Sequence, residues 1–238
     1  MRRGQRSVVS QKSHETRLAY NHSSARARSP QRGVPLNTRA RNSQRNAQLP
    51  FVPPENWYEP VGEATDYRFV VQSPGEGFRH ILTPDEVRER LADLPKKFVA
   101  PLEVVQLSRM TRKKQSFPCY GMQWGTCIYL YPIEESLVEY YHRPPRPSQY
   151  TEAILYGGRW EEDADGWRLI WTESAIKDFY LNNILVHELG HLLDERNTSY
   201  TDRERYAEWF AIQYGYLPTQ AERRPSRQLE QRRRHAKK

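Results

Sequence analysis

The chain has 238 residues and a formal net charge of +8 at pH 7, from 37 Lys/Arg against 29 Asp/Glu. Its two cysteines, Cys119 and Cys127, form no CxxC pair, which argues against a cysteine-built zinc site and for reduced thiols. No apolar run approaches the ~20 residues a membrane-spanning helix needs, and the start lacks an apolar segment of signal-peptide length, so the expectation is a soluble cytoplasmic protein with no membrane partner.

The charge is unevenly placed. Residues 1–50 carry eleven Lys/Arg against the single acidic Glu15, and residues 221–238 carry eight against two. The middle, 51–220, has 18 basic and 26 acidic residues and is net −8 between tails of +10 and +6. Blocks of like charge with few large apolar residues cannot offset the entropy of ordering. Residues 1–50 and 221–238 are therefore expected to be disordered basic tails. Residues 51–220 hold all six Trp and are long enough for one domain with its own core. The tails could give weak, salt-sensitive electrostatic binding to nucleic acid, although no base-reading motif accompanies them.

In chain order, "LTPDEVRERLADLP" predicts a helix. Thr83 can cap it, Pro84 suits the first helical position, and Asp85 and Glu86 favour the positive end. Strand signals follow in "LEVVQL" (102–107) and "YGMQWGTCIYLYP" (120–132), the latter one long strand or a hairpin. "RPPRPS" (143–148) reads as a connector, "YTEAILYGG" (150–158) as a strand, "EEDADG" (161–166) as an acidic turn and "GWRLIWT" (166–172) as a strand. After Thr172 the apolar period becomes helical, at 176, 179, 181, 184, 185, 189, 192 and 193. "NTSYT" (197–201) interrupts it. "DRERYAEWFAIQYGY" then predicts a second helix, ended by Gly215 and Pro218. This order describes an α+β domain with helices packed on one face of a mixed sheet.

The chemistry concentrates in "HELGH". His187 and His191 are four apart, so on a helix they share one face, where two imidazoles can converge on one Zn²⁺. Glu188 is rotated by about 100° from His187 and is placed to act as general base on water rather than as a ligand. Ile184, Leu185, Val186, Leu189, Leu192 and Leu193 surround the motif. A helix apolar nearly all round is buried, and buried histidines need partners. A third histidine is missing, because Asn197 stands where the HExxHxxGxxH pattern requires it.

The remaining ligand is sought on the next helix. Glu204 and Glu208 are the candidates, with Asp202 a weaker third. Glu204, Ala207, Glu208, Ala211 and Gly215 fall on one face whose uncharged members are small, which suits close docking against the histidine helix. Thr201 and Glu204 also fit a capping box, which would turn Glu204 back to the backbone and leave the metal to Glu208. Otherwise Glu204 is the ligand and Glu208, one turn on, can hydrogen-bond a ligating histidine. Glu204 is favoured.

"HELGH" followed by "ERYAEWFA" resembles the gluzincin type of zinc metallopeptidase, and most nearly the compact ImmA/IrrE-like proteins. The matching residues are His187, Glu188, Gly190, His191, Glu204, Ala207, Phe210 and Ala211. Glu208 replaces the usual Asn or Asp, and the 12 residues between His191 and Glu204 make a short interval. The resemblance implies a zincin-like fold: an N-terminal helix, a mixed sheet, an HExxH helix and a following ligand-bearing helix. It also implies Zn²⁺-dependent hydrolysis of peptide or protein substrates. Tyr200, Tyr206, Tyr214 and Tyr216 are candidate phenols for stabilising an oxyanion. Two alternatives stand beside this expectation: a non-catalytic zincin-fold binding protein, and a protease recruited to nucleic acid by its tails.

Overall fold

The computed structural model describes residues 14–15, 54–62, 66–112, 114, 119–164 and 166–220. Apart from His14–Glu15, the proposed tails 1–50 and 221–238 lie outside the described residues.

The helix expected near Thr83 is α1, Pro84–Ala92, with a full capping box: Glu86 N–H donates to Thr83 Oγ1 at 3.2 Å and Thr83 N–H to Glu86 Oε2 at 2.8 Å. A short turn of helix, α2 (Lys96–Val99), precedes the sheet. The sheet has five strands: β1 (His14–Glu15), β2 (Arg68–Val71), β4 (Val104–Leu107), β5 (Gly121–Trp124) and β6 (Cys127–Leu130), in the order β1-β5-β6-β4-β2. β2, β4 and β6 run parallel, while β5 and β1 are antiparallel to their neighbours. "YGMQWGTCIYLYP" is thus a hairpin, with Trp124 opposite Cys127 and Gly125 taking the turn at φ 58. A small pair, β3 (Phe78–Arg79) with β7 (Ile133–Glu134), and an antiparallel sheet of β8 (Val138–Tyr141), β10 (Gly166–Ile170) and β9 (Arg159–Asp163) complete the strands.

Two expectations are corrected here. Residues 150–158 are not a strand. Pro147–Leu155 form helix α3, started by Pro147 and by Gln149, whose side chain accepts from Arg146 N–H at 2.9 Å. The acidic stretch read as a turn instead supplies most of β9. Its charges are held at the edge of the sheet by Arg168, 3.2 Å from Glu161 and 3.1 Å from Asp163.

The long helical run after Thr172 forms as expected but in three parts. α4 (Glu173–Phe179), capped by Thr172, passes into a π turn, Tyr180–Ile184, and then into α5 (Leu185–Leu193). The following helix, α6, spans Tyr200–Ala211 and continues through a second π turn, Ile212–Tyr216. Gly215 does not stop it. A Cβ there would stand 1.8 Å from the Asn182 carbonyl oxygen, so this glycine admits a neighbouring backbone. Farther along, a Cβ on Gly190 would meet Ala207 Cα at 3.0 Å, which puts the small face of α6 against α5.

The main core joins Val87, Leu91, Val105, Ile128, Ile176, Phe179, Leu185, Val186, Leu189 and Phe210, so α4 and α5 lie on the sheet face presented by Val105 and Ile128. Val104, Met122, Cys127, Tyr129 and Tyr131 pack together as a second cluster. Successive strand residues point to opposite faces, which assigns this second cluster to the other side. Cys127 is buried and Cys119 half-buried, and the two form no disulfide. Among the described residues no helix is long and apolar enough to cross a membrane.

Candidate metal centre

α5 carries His187, Glu188 and His191 into the core, at 5%, 0% and 1% exposure. Their burial follows from the apolar residues on every other side of this helix. His187 Nε2 and His191 Nε2 lie 3.1 Å apart. Glu204, on α6, places Oε1 3.3 Å from His191 Nε2 and Oε2 3.7 Å from His187 Nε2. One donor atom from each of the three residues falls within 4.8 Å of the others, and they are the ligand-type group found among the described residues.

The spacing and the electrostatics both fit a cation. Ligand bonds of 2.0–2.1 Å in a tetrahedral shell set donor atoms about 3.3–3.4 Å apart. Burial pushes His187 down to about 3, with the neighbouring His191 adding to the shift. Burial and the Arg203 charge bring His191 to about 3 as well. Both imidazoles are therefore neutral at pH 7 and hold lone pairs available for coordination. Burial raises Glu204, opposed by His187, by a hydrogen bond from Tyr200 and by Arg203. Glu204 Oε1 is buried and accepts no hydrogen bond. Three electron-pair donors gathered in this way suit Zn²⁺, which takes nitrogen and carboxylate oxygen together.

The capping alternative for Glu204 is overturned. The N-cap of α6 is Ser199, whose Oγ accepts from Asp202 N–H at 3.2 Å and donates to Asp202 Oδ2 at 2.6 Å. Glu204 is thereby released toward the histidines. Asp202 is exposed and turned to Ser199, and Glu208 lies outside the cluster. Burial and the Glu204 charge nevertheless raise the Glu208 carboxyl. Of the four candidate tyrosines, Tyr200 bonds Glu204, whereas Tyr206 packs on Trp209 and Phe210, Tyr214 on Phe98 and Phe210, and Tyr216 on Tyr156.

Glu188 is outside the donor group and points instead toward the start of β5. A Cβ on Gly121 would come within 2.9 Å of Glu188 Oε1 and 3.0 Å of its Cγ. Gly121 thus makes room for the carboxylate, a role that a glycine inside a strand signals but that sequence reasoning missed. Also missed were Arg203, which donates to the carbonyls of Asp194 and His191 at 2.7 and 2.9 Å, and Glu152, which accepts from Asn183 Nδ2 at 2.5 Å. Burial drives the Glu152 carboxyl up to about 7, and the Glu208 charge adds to the shift. Comparison of the chain with protein-family models, with curated proteins and with solved structures finds no match.

Proposed function

We propose that the chain is a zinc-dependent metallopeptidase of zincin-like fold, with His187, His191 and Glu204 as ligands and Glu188 as general base. The observation that carries this reading is the convergence of two neutral, buried imidazoles and one half-buried carboxylate from the next helix. A zinc ion held by these side chains would supply a Lewis acid that polarises the scissile carbonyl and makes water more acidic. Glu188 sits beside this donor group without belonging to it. It takes the proton from the attacking water and delivers it to the leaving amine. Leu185, Val186 and Leu189, on the other sides of α5, pack the helix into the core and so fix its histidine face. Tyr200 holds the Glu204 carboxylate by a hydrogen bond and so steadies the third ligand. The mixed sheet under α5 and the order of helix, sheet, HExxH helix and ligand helix support the zincin-like assignment.

Metal analysis of the full chain, purified without chelator, tests the ligand set. About one equivalent of zinc is expected, lost in His191→Ala. Digestion of a peptide library by the zinc-loaded chain then tests the activity. Zinc retained with no peptide or protein cleaved would favour a non-catalytic binding protein on the same fold.

A further inference from the structure

We propose that Arg203 is a positioning residue that fixes the separation between His191 and Glu204, and so sets how tightly their cluster holds zinc. The inference rests on the zinc reading above. Arg203 is 9% exposed. Its Nη2 donates to the His191 carbonyl at 2.9 Å and its Nη1 to the Asp194 carbonyl at 2.7 Å. Both carbonyls lie at the C-terminal end of α5, where the helix end is negative; that of His191 also accepts from the capping Asp194 N–H, at the longer distance of 3.4 Å. The next residue on α6, Glu204, sets its carboxylate 3.3 Å from the His191 ring. His191 is therefore held by α6 at two points: its backbone by Arg203 and its imidazole by Glu204.

Elsewhere in the connection Arg196 lies over the Tyr206 ring at 5.5 Å and Tyr200 bonds Glu204, whereas Arg203 reaches the His191 backbone itself. Glu195, Arg196, Thr198, Ser199 and Tyr200 are exposed. The Asp194 carboxylate, which accepts from the N–H groups of Arg196 and Asn197, folds the start of the turn upon itself rather than onto α6. Adjacent helical residues differ by about 100°, so Arg203 passes under the end of α5 while Glu204 faces the rings. A planar guanidinium can reach two carbonyls at once, whereas a lysine ammonium meets them as a single point. Through this fork, the short interval of 12 residues after His191 delivers a carboxylate at ligand distance.

The test is a double-mutant comparison on the full chain, read as zinc affinity by competition with a chromophoric chelator. Arg203→Met keeps the stem and removes the donors. It should weaken zinc binding about 10–100-fold when Glu204 is present, as losses of groups that orient ligands do. In the Glu204→Gln background the same substitution should change zinc affinity little, because the ligand it positions is gone. Co²⁺ substituted for zinc should show altered visible absorption in Arg203→Met, and Arg203→Lys should recover part of the affinity. An equal fold loss in both backgrounds, or wild-type affinity in Arg203→Met, would reduce Arg203 to a helix cap and overturn the proposal. If Arg203→Met does not fold, Arg203→Lys in the two backgrounds gives the same comparison. A wild type that binds no zinc would defeat the metal reading and this inference together. Zinc-bound wild type with additive effects defeats this inference alone.

Discussion

Gly215 approaches Asn182 so closely that any Cβ on it would stand 1.8 Å from the Asn182 carbonyl oxygen and 2.8 Å from the carbonyl carbon. The obstacle is backbone, which cannot rotate aside, and it joins the two π turns that flank the ligand helices. Gly215→Ala is expected to destabilise by more than about 3 kcal/mol, beyond the usual cost of overpacking. Gly190→Ala, where the nearest atoms are Ala207 Cα at 3.0 Å and Phe210 Cβ at 3.1 Å, should cost about 1–3 kcal/mol. Urea unfolding of both variants would rank them, and a tolerated Gly215→Ala would contradict the packing described.

The two glutamates of the centre should separate by what they lose. Glu188→Gln is expected to keep zinc and fold while lowering turnover about 10²–10⁴-fold. Glu204→Gln should lower zinc occupancy as well. Equal metal loss in both variants would refute the division into base and ligand.

Glu152 should reveal itself through pH. Its folded carboxyl titrates near 7, against about 4.5 in the open chain, so the folded state holds a proton between these values that the unfolded state has released. Its contribution is thus fully present below pH 4.5 and is lost as pH rises through 7. Glu152→Gln removes this dependence. Relative to wild type, the variant should gain stability from pH 4.5 to pH 7, by on the order of 3 kcal/mol in all. Any offset from the altered bond to Asn183 is constant with pH, so a flat difference across that range would refute the assignment.

Away from the metal, Glu139 is a buried hub at 1% exposure, accepting from Trp171 Nε1 at 2.7 Å and from Tyr120 Oη at 2.7 and 2.8 Å. Trp171→Phe leaves the carboxyl short of one donor and should cost about 1–3 kcal/mol by denaturant unfolding, without changing zinc content. A change in zinc content would show that this hub communicates with the centre.

The sequence was most readable where burial and period agree. The apolar positions of α4 and α5 repeat as a helix must, and the histidines inherit a common face from that repeat. α3 offered no such stripe: Tyr150 and Ile154, its strand-forming residues, are 43% and 47% exposed, while Gln149 and Ala153 are buried. β9 was hidden by charge, since an edge strand with Arg168 as cross-strand partner can keep its acidic residues. At the start of α6, Ser199 with Asp202 and Thr201 with Glu204 offer the same local cap chemistry. Only the docking of α6 against α5, which turns Glu204 toward the histidines, decides between them. Arg203 could not have been read locally, because its acceptors are backbone carbonyls nine and twelve residues earlier.

The π turn at Tyr180–Ile184 has a consequence for any change of chain length near the centre. Leu185 N–H reaches back to the Tyr180 carbonyl, five residues away, so the helix carries one residue more than an α-helix would over that turn. Deleting a single residue from 180–184 would restore regular helix with α5 nearly in phase, whereas regularising the turn at unchanged length would turn α5 by about 100° relative to α4. His187 and His191 would then sweep off the line of Glu204, and Asn182 would leave Gly215. A helix made more regular, and by propensity better, would have its ligands aimed at the wrong neighbour.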